Sequence, residues 1–381
     1  MRLLWRANMQ PEAKKILIVS STGRALAASA RRANYQTYVI DLFEDFDTSE
    51  MSVTCKNACA NNALHFDKIK LQQALNAFND IDFSAVVYGA GFEGDIDLLD
   101  MLNTKNALFG NSSELVRNLK DPATFFGLLE SLEIPFPQVR LSVPSDPDGW
   151  LAKTVGATGG AHVQSAQGVS TSEKTYFQRF EAGRNLSVLF LADGKKAQIV
   201  GFSEQLVQKV GDAPYCYIGA INHAVLPDTM KKNIADKIDL LVSTTGLVGF
   251  NGVDFIQRDD KYFVLEINPR PTATMELYDA DYAQGLLHAH LQACEGELTA
   301  KTASEKILRG HTIVFAEQNT KIPASFKFPG WCANIPQPGS FVSQDAPLCS
   351  VLTSGTDRDQ IMQSLQQRSQ QIQFQLAEQA A

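Results

Sequence analysis

Residues 250–271 read FNGVDFIQRDDKYFVLEINPRP, and they set two carboxylates and an amide, Asp254, Glu266 and Asn268, among β-branched and aromatic residues. Val or Ile would pack better at those three positions. Side chains alternate along a strand, so Glu266 and Asn268 share one face while Phe263, Leu265 and Ile267 take the other. A turn centred on Asp260 puts Asp254 opposite Glu266; a turn one residue shorter or longer sets Asp254 against a core residue. Directly opposed side chains have Cβ atoms about 5 Å apart, and two carboxylates that close repel unless something neutralises them. Mg²⁺ does so with hard oxygen ligands, taking one or two carboxylates and leaving its other positions to water and phosphate. Asn268 adds a neutral oxygen, and Arg270 adds a planar guanidinium that matches phosphate. The set reads as a metal–nucleotide site. The competing reading is a solvated strand face with Lys261 or Arg258 as partners.

A second group lies upstream. Lys153 precedes VGATGGAHV, so a point charge is followed by Gly156, Gly159 and Gly160, a loop whose backbone N–H groups can wrap phosphate. A plain hairpin loop explains the same residues equally well, and the P-loop pattern is missing. Lys120, near a helix start, carries little meaning alone. His162 and His223 are candidates to face substrate, although a lone histidine is more often structural. The six cysteines, at 55, 59, 216, 294, 332 and 349, form no disulfide-like framework. The Cys55/Cys59 pair with His65 is too sparse for zinc.

These residues need elements to hold them. KKILIVSSTGRALAASARRANYQTYVIDLF reads strand, glycine turn, helix, strand, the start of a doubly wound parallel sheet. Its turn has Gly23 alone and lacks the dinucleotide fingerprint. FSAVVYGAGFEG is another strand with a glycine turn, and NALF opens a further one. Ser112 or Ser113 caps the next helix, and Pro122 starts another. From residue 139 short strands dominate, with helices at TMKKNIADKIDLLVSTTGL and MELYDADYAQGLLHAHLQAC, which is an α+β pattern. Five of the 15 prolines fall between 323 and 347, so 296–355 reads as a small β unit with many loops. In the Gln-rich end, Ile361, Leu365, Ile372 and Leu376 share one helical face, as a docked amphipathic helix requires.

The bulk numbers exclude some functions. The 381 residues suffice for two or three domains, with 44% hydrophobic and 20% charged residues and a formal net charge of -8. No basic surplus exists to displace counterions from nucleic acid. No run of eighteen apolar residues occurs, so no membrane span is expected. MRLLWRANMQPEAKK leads into no long apolar stretch, so no secretion signal is expected and a cytoplasmic setting is. Met1 and Met9 are alternative candidates for the start.

Lys120, then Lys153 with its glycine loop, then YFQRFEAGRNLSV, then Asp254 twelve residues before EINPR: this series resembles the ATP-grasp superfamily of carboxylate–amine ligases, over about residues 14–295. The resemblance implies a fold of α/β and α+β parts. A Rossmann-like domain (12–118) precedes a two-subdomain core (119–180 with the glycine loop, 181–295 with the metal site). A β-rich unit (296–355) and a helical tail (356–381) follow. It implies ATP with Mg²⁺, Mn²⁺ being the alternative, and small carboxylate and amine substrates. Lys120 and Lys153 would contact phosphates under the loop Gly156 to Gly160. Phe177 to Phe180, with Gln178 and Arg179, would form the adenine-reading hinge, and Asn185 would face ribose. Asp254, Glu266 and Asn268 would hold the metal. Arg270 and Lys153 would serve catalysis, Arg270 by steadying the transferred phosphoryl group. Two departures concern detail: QRFE replaces the usual hinge acid, and Asp254 is shorter than the frequent Glu. IDLFEDFDT, YGAGFEG and the late FPGWCANIPQPGSFV further resemble ligases of one-carbon coenzyme biosynthesis of the tyramine–glutamate type. In that branch Glu93 and the Gly89/Gly91 turn line the acceptor pocket; the plainer reading is a loop with an exposed Glu. A homodimer is a further expectation.

Overall fold

The computed structural model describes residues 13–60, 64–103, 108–302 and 307–380. The two start methionines and the first half of the NALF strand lie outside these. The first sheet consists of β1 (Lys15–Val19), β2 (Gln36–Asp41), β3 (Thr54–Asn57), β4 (Ala85–Tyr88) and β5 (Leu108–Phe109). They run parallel in the order β3-β2-β1-β4-β5. The helices α1 (Arg24–Arg32), α2 (Phe46–Met51), α3 (Lys68–Asn76) and α4 (Asp97–Asp100) join them. Strands buried on both faces read as apolar runs, as KILIV and AVVY do.

Two capped helices lead onward. Ser112 accepts from the Leu115 amide at the start of α5 (Ser113–Lys120), and Asp121 accepts from the Thr124 amide at the start of α6 (Pro122–Ser131). Lys120 is thus the last residue of one helix and abuts the cap of the next, which fixes its backbone on both sides. A small antiparallel sheet follows, made of β6 (Val139–Arg140), β7 (Trp150–Thr154), β8 (Gln164–Ser165) and β9 (Thr175–Arg179), in the order β6-β9-β7-β8.

The largest sheet has eight strands. Five of them are β10 (Arg184–Asp193), β11 (Ala197–Val210), β12 (Ala213–Ile221), β13 (Val248–Arg258) and β14 (Lys261–Asn268). The helix α7 (Asp228–Thr245) covers one face, and α8 (Leu286–Cys294) packs against β13 and β10 on the side of the first sheet. Beyond β15 (Leu308–Phe315) come β16 (Thr320–Lys321), β17 (Cys332–Ala333), β18 (Phe341–Val342), β19 (Pro347–Gly355) and α9 (Arg358–Ala380). The strand order β14-β13-β10-β11-β12-β15-β19-β17 shows that β15, β19 and β17 do not close a sheet of their own. They extend the large one through Gly219 to Ile221, which pair with Gly310 to Thr312. The apolar residues of this region still form their own cluster, with Ile361, Leu365, Ile372 and Leu376 of α9 buried in it. No helix among the described residues is long and apolar enough to cross a membrane.

Candidate functional site

The hairpin β13–β14 carries the two carboxylates, and its register differs from the expectation in an instructive way. The turn is the two residues Asp259 and Asp260, since Arg258 pairs with Lys261. That turn is too short to bring Asp254 opposite Glu266. A bulge restores the pairing: the register shifts between Asp254 and Phe255, leaving Leu265 as the extra residue. Asp254 then faces Glu266, and Gly252 faces Asn268. The bulge also changes the core face. Tyr262 and Val264 join Ile267 in the main apolar cluster, in place of the expected Phe263 and Leu265.

The three polar side chains converge. The Asn268 amide nitrogen lies 3.2 Å from Asp254 Oδ2 and 3.4 Å from Glu266 Oε1. Gln205, from β11, donates to Asp254 Oδ1 at 2.9 Å. Lys120 donates to Asn268 Oδ1 at 3.0 Å and lies 3.8 Å from Glu266 Oε2. The expectation that Asn268 offers its oxygen to a metal therefore differs from the arrangement seen: its NH₂ faces the carboxylates and its oxygen faces Lys120.

Charge is divided unevenly between the carboxylates. Burial and the neighbouring Glu266 push the Asp254 carboxyl well above the usual range. Burial alone would also raise Glu266, but Lys120, Lys153, the hydrogen bond from Asp254 and His162 bring it down to about 2. Glu266 thus carries the negative charge and Asp254 holds the proton.

Lys153 is buried on β7, and its Nζ donates to Gln178 Oε1 on β9 at 2.6 Å. Burial lowers its pKa, although Glu266 and Asp254 oppose that. Lys120, Glu266, His162, Gly156, Ala157 and Tyr176 line a narrow cleft that opens to solvent. Three buried atoms in this region lack hydrogen-bond partners: His162 Nδ1, Gln178 Nε2 and Ser187 Oγ. Ser187 is paired directly with Asp254 across β10 and β13.

The glycine loop covers the cleft by close backbone contact. A Cβ at Gly156 would lie 2.1 Å from the Glu93 carbonyl oxygen, and one at Gly160 would lie 2.0 Å from that of Tyr215. Both have φ near +75°, so no other residue fits there without moving the backbone. The Gly159 carbonyl accepts from the Tyr217 amide at 2.9 Å.

Arg270 is buried, and it pairs through Nε with Glu93 from the turn after β4. Its Nη1 donates to the Pro271 carbonyl at 3.0 Å and its Nη2 lies 3.4 Å from Asn268 Oδ1. Tyr88 and Asn111 both donate to the Pro269 carbonyl, at 3.2 and 3.0 Å, so the first domain anchors this segment. Glu93 is 6% exposed, which rules out the plain reading of an exposed loop residue.

Some expected members stand apart. Arg179 lies on the sheet face opposite Gln178, donates to the Asp148 carbonyl and covers the Trp150 ring. The Arg179 and Phe180 amides bond the carbonyls of Gln138 and Gly149, so neither is left to read a base. The Phe180 ring is exposed, 6.3 Å from that of Tyr215. Asn185 lies two residues before Ser187 on β10, hence on the face of Asp254. His223 sits beside Tyr278, away from the cleft residues, and its amide bonds the Tyr278 hydroxyl. Gln205 and Ser187 went unnoticed in the sequence. Their signal was a polar residue within the apolar runs LSVLFLA and IVGFSEQLV.

The donor set suits a hard divalent ion. It comprises two carboxylates and an amide that presents oxygen once it turns over. Among the described residues no group of three or more His, Cys, Asp or Glu side chains could hold a metal. Two protein carboxylates leave the remaining coordination to water and phosphate.

Residues 120–274 match the family described as "ATP-grasp domain". The carbamoyl phosphate synthase large chain of Clostridium perfringens strain 13 is 23% identical over 269 residues, which cover 64% of this chain and 24% of that protein. The chain thus spans about a quarter of the length of the curated relatives it matches. Among solved structures, a biotin carboxylase–βγ-ATP complex from Campylobacter jejuni aligns with TM-score 0.68 at 12% identity, covering 92% of this chain and 90% of that one. N5-carboxyaminoimidazole ribonucleotide synthetase from Thermotoga maritima aligns with TM-score 0.65 at 15% identity, covering 94% and 98%. With its parallel first sheet, small glycine-loop sheet and large antiparallel sheet, the chain has the ATP-grasp fold.

Proposed function

We propose that the chain is an ATP- and Mg²⁺-dependent ligase that joins a carboxylate to an amine through an acyl phosphate. One observation carries this reading: Asp254, Glu266 and Asn268 meet Lys120, with Lys153 and Arg270 close by, and Lys120 and Glu266 reach a cleft lined by the glycine loop. Amide formation in neutral water is uphill, because both partners are charged and solvated. In the proposed reaction a substrate carboxylate oxygen attacks the γ-phosphorus of ATP and ADP leaves. The amine then attacks the acyl carbon, phosphate leaves, and the amine proton passes to base or solvent.

Protein catalysis of such a transfer is mostly positioning and charge neutralisation. Asp254 and Glu266 would hold Mg²⁺, with Asn268 beside them, and the ion would supply positive charge to the phosphates. Lys120, Lys153 and Arg270 offset phosphate charge. Gln178, with its buried and unpartnered amide nitrogen, contributes a donor to the nucleotide. The loop from Gly156 to Gly160 keeps water from the acyl phosphate. The units 12–118, 119–180, 181–295, 296–355 and 356–381 are the proposed divisions of labour. A cytoplasmic homodimer is the proposed setting.

For substrates we propose glutamate with tyramine, tyrosine or a related one-carbon coenzyme precursor, with Glu93 and the Gly89/Gly91 turn beside the acceptor. Mass spectrometry of products from ATP, Mg²⁺, glutamate and a panel of amines tests this. The expected result is ADP and a condensed product; no ADP with any pair would refute it. A second reading takes bicarbonate as the carboxylate. It is favoured by the alignment of 90% of this chain with a Hydrogenobacter thermophilus carboxylase domain whose structure contains MgADP and bicarbonate. Bicarbonate-dependent ADP release separates the two.

A further inference from the structure

Three cations gather around the Asp254–Glu266–Asn268 group, and each has an internal partner. Lys153 is held by the neutral Gln178, and Lys120 by Asn268 and Glu266 of the proposed metal group. Arg270 is held by Glu93, which belongs to no part of that group and reaches it from a different sheet, 177 residues away in sequence. Glu93 Oε2 also accepts from the Gly91 amide at 2.9 Å, so the carboxylate is aimed by its own turn. Burial would raise this carboxyl, but Arg270 and Lys120 hold it below the usual range and thus ionised.

All three Arg270 nitrogens already donate: Nε to Glu93, Nη1 to the Pro271 carbonyl and Nη2 towards Asn268. A phosphoryl group that engages the guanidinium side-on meets the Glu93 carboxylate on the same edge. Two anions sharing one buried guanidinium repel strongly.

We infer that Glu93 is an internal competitor for the phosphoryl-binding edge of Arg270, so that the turn after β4 must release Arg270 before ATP is fully engaged. This rests on the ligase reading above. The backbone contact between Glu93 and Gly156 gives the exchange a mechanical consequence. Displacing Glu93 moves the surface on which the glycine loop rests, which links nucleotide engagement to the first domain and its proposed acceptor side.

The test is titration of the full chain with MgATP and MgADP, for wild type, Glu93→Gln, Glu93→Asp and Asp95→Asn. Gln removes the charge. Asp keeps the charge but withdraws it from Nε. Asp95 is an exposed acid in the same turn and serves as the control. The expected result is MgATP binding about tenfold tighter in both Glu93 variants, with MgADP changed by less than about twofold and Asp95→Asn like wild type. Tightening in Glu93→Gln alone, or equal tightening for ADP, would show a diffuse charge effect and overturn the proposal. Unchanged or weaker MgATP binding in both variants would overturn it too. A wild-type chain that bound no MgATP would instead sink the ligase reading on which it rests.

Discussion

Two clusters of charge in this molecule are built on opposite principles. Around the hairpin, two ionised acids (Glu266 and Glu93) and the protonated Asp254 meet three cations (Lys120, Lys153, Arg270). At the junction of the first sheet with the C-terminal region, three acids (Asp45, Asp47, Glu276) face Arg24, and Asp41 adds a fourth acid beside Asp45. With positive charge in slight surplus, this cluster can accept a polyanion together with a divalent ion that displaces the Asp254 proton. The junction has no such freedom. Asp41 spends itself on the amides of Gly23, Phe43 and Glu44, and Asp47 on those of Asn334 and Ile335. Asp45 is 6% exposed with too little positive charge nearby. Burial first, then Asp41 and Asp47, push its carboxyl to about 8, with Arg24 opposing. Acids matched by surrounding cations make a place for a ligand, whereas excess acid makes a pH-dependent joint.

The largest expected effect breaks the balance at the cleft. Glu266→Gln or Arg270→Ala should lower turnover by roughly 10³-fold, since each removes an interaction that neutralises transferring charge. Circular dichroism should show the fold intact in both, with a lowered Tm in Arg270→Ala because Glu93 is left buried without its counter-charge. Near-normal rates in either variant would mean the cluster is not catalytic.

Next comes the roof of that cluster. Gly160→Ala forces a Cβ to 2.0 Å from the Tyr215 carbonyl oxygen at positive φ. The loop should fail to settle, costing about 10²-fold in kcat/KM. Stability should change far less, because the loop adds little to the core. Steady-state kinetics beside thermal melting would separate the two, and a large Tm loss with normal kinetics would contradict this account.

The junction predicts a pH effect without a rate effect. Asp45 has a folded-state pKa of about 8, above the usual carboxylate value of 3.8. Its contribution to stability is therefore fully present below pH 4, declines as pH rises, and is gone above about 8. Denaturant titrations should show a loss on the order of 4 kcal/mol between pH 5 and 8. Asp45→Asn should flatten that slope, and an unchanged slope would assign it to other groups.

The smallest effect is expected at the surface pair of Arg358 with Glu204, both partly exposed. Arg358→Ala should cost less than about 1 kcal/mol by the same titration. A larger loss would mean that charge balance matters even in solvent.

How much of this was legible in the chain varies residue by residue. Asp254, Glu266 and Asn268 stood out because each interrupts an apolar alternation, and a strand's two-residue period has few ways to place them. The pairing itself was right while its cause was not: the shorter turn and the bulge at Leu265 offset one another. A bulge changes one residue of register for little local sequence cost, so nothing in YFVLEIN announces it. Gln205 was hidden because a single polar residue in a long strand can face water as easily as a partner. Arg179 looked like part of the group by position, yet strand alternation turns it to the far face.

Alternation, capping residues and glycine spacing are local, and they alone settled the parallel first sheet, the two capped helices holding Lys120 and the order of the chemical groups. Contacts between distant segments follow from packing instead. The Glu93–Arg270 pair, the glycine loop resting on Glu93 and Tyr215, and the joining of β15 to β12 each unite stretches that share no local pattern. Only folding brings such partners within reach, because a buried charge is stable just where another part of the chain supplies its counter-charge.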